Sequence, residues 1–225
     1  PTPSTTGPVV LQVGGRDPLL LSLAAAVGTA LGYDEINLNC GCPSDAEGAS
    51  GSGSGCGRGG GVALMREPDL VSRIVAGMSE SVRDARDELG GGGRGGGGGV
   101  TVKHRLGVAD AETYDPALDR SRDDDESVRS CGDFVRAVTY NGDVGKVIVH
   151  ARLGILGWGR GLESGGAGGG GPVKAKRASR LRTKLNRSVP PLRPGAVEAV
   201  AAEFPRVRVV TNGGVASLAD ASERG

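Results

Sequence analysis

Cys42 directly follows a short strand pattern and is the residue of this chain best suited to carry chemistry. Residues 35–39 alternate Ile and Leu with Asn, the period-2 pattern of a β-strand. Gly41 and Pro43 then break the strand on either side of the thiol. Because α/β barrels keep their active sites at the C-terminal ends of their strands, the sequence predicts a reactive thiol rather than a core residue.

The elements that would position this thiol are five predicted strands with helices between them. The strands are predicted at Val9–Val13, Glu35–Asn39, Val100–His104, Lys146–His150 and Arg206–Thr211. The helices are predicted at Pro18–Leu31, Glu67–Glu88, Asp133–Asn141 and Gly195–Glu203. This alternation is typical of a parallel sheet with right-handed crossovers.

Polar residues at the strand ends favour a barrel over an open sheet. These residues are Gln12, Asn39, Lys103 with His104, His150, and Asn212. The segment 14–17 lacks the Gly-x-Gly-x-x-Gly pattern of an open dinucleotide-binding sheet. The predicted fold class is therefore α/β, a partial (β/α)₈ TIM barrel with about five of its eight strands.

Each strand-end residue has a functional and a structural interpretation. Strand alternation places Lys103 and His104 on opposite faces, where one could sit as a cation over a flavin or phosphate. His150 follows three β-branched residues and could equally be a buried strand-end histidine. Gly213 and Gly214 could form an ordinary turn, or bring backbone N–H groups close to a phosphate.

The cysteines and the apolar runs exclude several classes of protein. The four cysteines, Cys40, Cys42, Cys56 and Cys131, show no Cys-x-x-Cys spacing, so we expect no metal site. Their low density indicates a reducing, intracellular compartment, whether cytoplasmic or organellar. The apolar run 19–31 is too short to span a bilayer, so no membrane association is expected. Because the chain begins at Pro1 without methionine and shows no basic-then-apolar signal pattern, it is interpreted as a fragment.

Glycine and charge are unevenly distributed along the chain. Many of the 42 glycines fall in three predicted low-complexity insertions, at 46–60, 89–99 and 157–180, whose glycine runs are expected to be disordered. Between Lys174 and Arg187 there are seven basic residues and no acidic one, which indicates a solvated face or a polyanion contact. The acidic run 123–126 is predicted to lie in a loop.

Six short motifs occur in an order that resembles the tRNA-dihydrouridine synthases. In chain order they are Leu11-Gln12-Val13-Gly14-Gly15, Asn37-Leu38-Asn39-x-Gly41-Cys42-Pro43-Ser44-Asp45, Thr101-Val102-Lys103-His104-Arg105-Leu106-Gly107, Val149-His150-Ala151-Arg152, Lys184-Leu185-Asn186-Arg187-Ser188-Val189-Pro190-Pro191-Leu192 and Thr211-Asn212-Gly213-Gly214. The fifth motif resembles the A-type subfamily, whose target uridines are 20 and 20a of the tRNA D-loop. The resemblance extends from about Val9 to Ala219.

The resemblance implies an enzyme that uses FMN to reduce uridine in tRNA to 5,6-dihydrouridine, with NADPH as the reductant. It implies that residues 1–225 form a partial FMN-binding barrel domain without the family's C-terminal helical domain. By position in the motifs, Cys42 matches the general acid, Asn39 a tRNA contact, and Lys184 with Arg187 the tRNA-orienting pair. The matches to FMN contacts are Gln12, Lys103, His150, Asn212, Gly213 and Gly214.

The sequence is also compatible with two other functions. A related flavin barrel could reduce a free pyrimidine, as a dihydroorotate dehydrogenase-like protein does. An inactive RNA-binding fragment could also carry these motifs. The basic run and the Lys-Leu-Asn-Arg element at 184–187 speak against the free pyrimidine, because a small substrate requires neither. The oligomeric state is left open.

Overall fold

The computed structural model describes residues 7–43, 60–90, 99–121, 123–141, 143–158 and 184–223. The strands are β1 Val10–Val13, β2 Glu35–Cys40, β3 Val100–Arg105, β4 Val108–Asp110, β5 Val144–His150, β6 Gly154–Leu156 and β7 Arg208–Asn212. The α-helices are α1 Pro18–Ala30, α2 Pro68–Glu88, α3 Pro116–Ser121, α4 Asp125–Thr139, α5 Pro194–Glu203 and α6 Leu218–Glu223. A 3₁₀ helix covers Gly61–Arg66, and residues 184–188 are also helical.

Five strands form one parallel sheet in the order β1-β2-β3-β5-β7. Each strand lies beside the next one of this sheet along the chain, the neighbour relation of a (β/α)₈ barrel. Over the described part of the chain, the sheet does not close on itself. A separate parallel pair, β4-β6, follows β3 and β5. The five predicted strands and their parallel arrangement are confirmed.

The first two helices form for the reasons that the sequence indicates. The Asp17 carboxylate accepts hydrogen bonds from the backbone N–H groups of Leu19 and Leu20, and Pro18 starts α1. In α2, the large apolar residues that recur at helical spacing are buried, except Leu70, which is half-buried. The buried ones are Val71, Ile74, Val75, Met78 and Val82.

Helix α1 approaches the sheet at a glycine. A Cβ at Gly28 would lie 2.7 Å from the Leu11 side chain and 2.8 Å from that of Ile36, so a larger residue at this position would displace both side chains. The opposite side of α1 leaves large apolar side chains exposed, with Leu19 at 78% and Leu23 at 60% of full exposure. The predicted helix is therefore confirmed over Pro18–Ala30, and one side of it packs on the sheet.

The prediction of a loop at the acidic run 123–126 holds for Asp123 and Asp124 but is wrong for Asp125 and Glu126. Asp125 and Glu126 form the first turn of α4, which begins there rather than at Asp133. Negative side chains stabilise a helix N-terminus because the unpaired N–H groups there carry partial positive charge. The Asp124 carboxylate, just before the helix, also accepts a 2.7 Å hydrogen bond from Arg193.

Several sequence features lie outside the described residues. These are Cys56, residues 174–183 of the basic run and nearly all of the three predicted insertions. The described residues at the start of the second predicted insertion belong to a helix end, since Leu89 and Gly90 form the C-terminal turn of α2. Within the described ranges, no helix is both long and apolar enough to cross a membrane.

Candidate functional site

The loop after β2 is organised by the Asn39 side chain. Its Oδ1 atom accepts hydrogen bonds from the backbone N–H groups of Gly41 and Cys42, both at 3.0 Å. This is the local side-chain-to-backbone turn that Asn forms readily. It ends the strand and places the half-buried Cys42 at the C-terminal edge of the sheet.

The carbonyl groups of the same loop are held by two distant segments. The Arg105 Nε atom donates a 2.9 Å hydrogen bond to the Gly41 carbonyl, and the Val62 backbone N–H donates a 2.8 Å bond to the Cys42 carbonyl. Together with the two bonds to Asn39, these contacts satisfy the backbone N–H and C=O groups of both residues. The position of Cys42 is therefore set from several sides.

Gly61 allows the 3₁₀ helix to reach the Cys42 loop. Its φ is +65°, and a Cβ there would lie 2.4 Å from the Cys42 carbonyl oxygen. A larger residue would therefore be strained and would also collide with the loop. Sequence reasoning missed this residue, although the three consecutive glycines before the apolar run 62–65 were a signal that a packed element begins there.

Asn39 also belongs to a series of side-chain hydrogen bonds across the sheet face. Its Nδ2 atom donates to the Gln12 amide oxygen at 3.2 Å, and the Gln12 nitrogen donates to Asn37 at 2.8 Å. Asn37 in turn donates to the Thr101 hydroxyl at 2.8 Å. The series defines the orientation of the Gln12 amide, a predicted FMN contact.

The series ends in a nearly buried ion pair at the N-terminal side of the sheet. The Thr101 hydroxyl donates to the Glu35 carboxylate at 2.7 Å, and Lys146 pairs with the other carboxylate oxygen. Glu35 is buried, and these two partners offset the cost of removing its carboxylate from water. This polar face is opposite the apolar side chains of β2 that contact the helices, such as Leu38 and Cys40.

The strand register brings the other predicted site residues to the same face. Asn39 pairs with Lys103, and His150 pairs with Asn212. Because side chains alternate along a strand, these residues and Arg105, which pairs with His150, all project to the side that carries Gln12. The structure thus brings together the predicted strand-end residues except His104.

The cationic groups of this face are partly withdrawn from water. Burial, followed by repulsion from Arg105, lowers the pKa of Lys103. Burial and then the charges of Arg105 and Lys103 lower the pKa of His150 to about 3. At neutral pH the His150 ring is therefore uncharged and can accept as well as donate a hydrogen bond. The charges of Arg152 and Arg187 reach His150 as well.

Gly213 and Gly214 form a tight turn against His150. Their φ angles are +95° and +73°, the left-handed region that glycine tolerates. A Cβ at Gly213 would lie 2.5 Å from His150 Cδ2, so the backbone itself lies against the imidazole ring. The turn leaves exposed backbone beside Asn212 at the edge of the site.

His104 faces away from this site, as the strand alternation predicts. It is fully buried, its Nδ1–H group donates to the Arg105 carbonyl at 2.7 Å, and its ring lies 4.9 Å from that of Phe134 in α4. Burial lowers the pKa of His104 to about 4, so it is neutral at pH 7. It belongs to the core between sheet and helices.

Lys184 and Arg187 are exposed on the helical segment 184–188. Three residues apart, they lie on one side of a helix. Arg187 is close enough to the sheet edge for its charge to lower the pKa of Lys103. The segment is anchored by Asn186, whose side chain accepts from Ile155 N–H at 2.7 Å and donates to Ile155 C=O at 3.0 Å.

The two other cysteines that the structure describes belong to the apolar core. Cys40 and Cys131 are both buried, and burial raises the pKa of each thiol. In the part of the chain that the structure describes, no three His, Cys, Asp or Glu side chains form a group that could hold a metal ion.

A cavity of about 350 Å³ is lined by Tyr114, Asp119 and Arg193, among other residues. None of the predicted site residues lines it.

Comparison with known proteins identifies the family. The profile described as dihydrouridine synthase matches residues 1–224. The chain is 37% identical over 211 residues to a tRNA-dihydrouridine(20/20a) synthase of Xanthomonas campestris pv. campestris, covering 94% of this chain and 45% of the relative.

Two further relatives carry the same name. A protein of Synechocystis is 33% identical over 208 residues, covering 92% of this chain and 45% of its own length. One of Escherichia coli O6:H1 is 32% identical over 214 residues, with 95% and 47% covered. The chain therefore spans about half the length of these relatives. It belongs to the dihydrouridine synthase family, whose fold is the predicted (β/α)₈ barrel.

Proposed function

We propose that the full-length protein reduces uridine to 5,6-dihydrouridine at positions 20 and 20a of the tRNA D-loop, with FMN as its flavin and NADPH as the reductant. The observation that carries the proposal is the Cys42 loop, whose backbone groups are held by Asn39, Arg105 and Val62 at the cationic edge of the sheet. The names of the relatives support the choice of substrate and of its positions.

The described residues fit an anionic flavin nucleotide. Lys103 and the neutral His150 ring provide a cation and a hydrogen-bonding group on one face, and the Gln12 amide is oriented toward the same face. The turn at Gly213 and Gly214 offers backbone without side chains, which suits close contact with a phosphate. A bound reduced flavin would supply the hydride that adds to C6 of the uracil ring.

Cys42 supplies the proton in this proposal. Adding hydride at C6 leaves negative charge on the ring, and protonation at C5 completes the reduction. Cysteine thiols are mainly protonated at pH 7 and can act as general acids. The Lys103 and Arg105 charges interact with Cys42 and would stabilise the thiolate that remains after proton transfer.

Lys184 and Arg187 are assigned to tRNA phosphates. A uridine in folded tRNA must leave its stack before any group of the sheet edge can reach it. Exposed cations on a helix beside the site can hold the backbone while the base is displaced. This large, polyanionic substrate accounts for surface charges that a free pyrimidine would not need.

The test is to express full-length protein in a strain that lacks its own tRNA-dihydrouridine synthases and to measure dihydrouridine at positions 20 and 20a. We expect wild type to restore the modification and Cys42→Ala to lose at least about 100-fold in rate. Cys131→Ala, which removes a buried thiol of α4, is the matched control. Normal modification by Cys42→Ala would disprove the acid role, and turnover of free uracil or orotate in place of tRNA would disprove the substrate.

A further inference from the structure

Arg105 joins three separate segments at the edge of the sheet. Besides the 2.9 Å bond to the Gly41 carbonyl, its guanidinium donates to the Leu153 carbonyl at 3.0 Å and to the Asn186 carbonyl at 3.1 Å. These acceptors belong to the Cys42 loop, the β5–β6 connection and the helical segment 184–188. Arg105 is only 4% exposed, so these three carbonyl groups take the place of the water molecules that would otherwise bind its guanidinium.

The shape of the guanidinium explains why this position carries arginine. A guanidinium presents five N–H donors in a rigid plane, whereas a lysine ammonium is a compact charge on a flexible chain. Here Nε binds the Gly41 carbonyl while Nη1 binds the carbonyls of Leu153 and Asn186. A lysine at position 105 would keep the charge but could not hold the three carbonyls in the same arrangement.

Asn186 completes the connection on the other side. Its side chain binds both backbone groups of Ile155 while its own carbonyl binds Arg105. The segment that carries Arg187 is therefore attached to β6 and, through one guanidinium, to the Cys42 loop. Two residues with different assigned roles are kept at a defined separation by Arg105.

We propose that Arg105 is a positioning residue that fixes Cys42 relative to the tRNA-binding segment 184–188. The inference rests on the proposed function, because it assigns Arg105 a task in the reaction of Cys42 on tRNA. When phosphates are held by Lys184 and Arg187, the displaced base must meet the thiol at a productive distance. Displacements of about 1 Å in such an arrangement can lower a rate about 100-fold.

The test compares Arg105→Lys with Arg193→Lys in the full-length enzyme. Arg193 is also buried, and its guanidinium contacts Asp119 and Asp124, so its replacement reports the general cost of losing a buried guanidinium. Two kinds of measurement are made. The first gives kcat and KM for tRNA, and the second gives the rate at which iodoacetamide alkylates Cys42, followed by peptide mass spectrometry from pH 6 to 9.

We expect Arg105→Lys to lower kcat at saturating tRNA at least about ten-fold and to change the alkylation rate of Cys42 at least about three-fold. Arg193→Lys should change neither quantity more than about two-fold, although it lowers thermal stability. Equal kcat and equal alkylation in the two variants would overturn the proposal and leave Arg105 a general structural residue.

A measurement on wild type covers the case in which Arg105→Lys does not fold. Phenylglyoxal modifies accessible guanidinium groups, so the exposed Arg187 should react at least about ten-fold faster than Arg105. Equal modification of the two would contradict the bonded arrangement. The two proposals can fail separately, because alkylation of Cys42 does not require turnover. If Cys42→Ala kept its activity, the acid role of Cys42 would be disproved. The alkylation rates of the Arg105 and Arg193 variants would still test whether Arg105 positions Cys42.

Discussion

The Asn39 side-chain oxygen accepts hydrogen bonds from the backbone N–H groups of both Gly41 and Cys42, each at 3.0 Å. The residue that the family resemblance assigns to tRNA contact thus also shapes the loop that presents the thiol. Its amide nitrogen is bound to Gln12 at the same time. Asn39 therefore connects the predicted flavin face with the predicted acid.

The variant Asn39→Ala distinguishes the role of Asn39 in shaping the Cys42 loop from its role as a tRNA contact. Losing the acceptor leaves two N–H groups unsatisfied, which costs about 1 kcal/mol or more and loosens the loop. We expect kcat for tRNA to fall at least about ten-fold. Asn39→Asp keeps an acceptor at the same place and should retain more of kcat than Asn39→Ala. If Asn39→Ala raised KM for tRNA and left kcat unchanged, Asn39 would contact tRNA but would have no role in positioning the thiol.

Gly213→Ala should disturb the predicted flavin site. The new Cβ would lie 2.5 Å from His150 Cδ2, and the φ of +95° is unfavourable for alanine. We expect the affinity for FMN, measured by fluorescence titration of the full-length apoprotein, to fall at least about ten-fold, with a stability loss of about 1–2 kcal/mol. Gly145→Ala in β5, where no atom lies within 4 Å of the new Cβ, is the control. Equal FMN affinity in both variants would contradict this assignment.

Acidification should destabilise the fold through His104. Its pKa is about 4 in the folded state, below the unperturbed value near 6.5, so the unfolded state binds more protons between these values. Stability is present above pH 6.5 and is lost as the pH falls toward 4. Between pH 7 and pH 5, the loss in unfolding free energy from this residue is about 2 kcal/mol.

Urea unfolding of the full-length protein at pH 7 and pH 5 measures this dependence. His150 changes stability in the same direction, since its pKa is also lowered. His104→Leu should remove the part due to His104 and flatten the dependence, whatever its effect on stability at pH 7. An unchanged difference between the two pH values in His104→Leu would show that His104 is not the source.

Removing the positive charges at Lys184 and Arg187 should weaken tRNA binding in a salt-dependent manner. Each lost phosphate contact is expected to reduce the slope of log affinity against log salt by about 1. The double variant Lys184→Gln, Arg187→Gln is compared with Arg73→Gln, an exposed arginine of α2. Filter binding at several salt concentrations gives the slopes. Identical slopes for the double variant and wild type would remove these residues from the tRNA interface.

The sequence alone was sufficient for the five strands, their parallel arrangement and the face on which the strand-end residues meet. These features follow from local patterns: period-2 alternation places Asn39 on the polar face and Cys40 in the core, and Asp17 with Pro18 marks the start of α1. The motif order was informative in the same way, because it depends only on residue types along the chain.

The connections that hold the site depended on tertiary contacts. Arg105 bonds to carbonyls 64, 48 and 81 residues away in the chain, and no local pattern indicates which backbone groups a buried guanidinium will meet. Gly61 matters only because Cys42 lies against it. Asp125 and Glu126 start a helix where a run of like charge suggested a loop, since the helix N-terminus and Arg193 stabilise this acidic run. Strand alternation predicts the face on which a side chain lies, but the groups that the side chain contacts depend on how distant segments pack together.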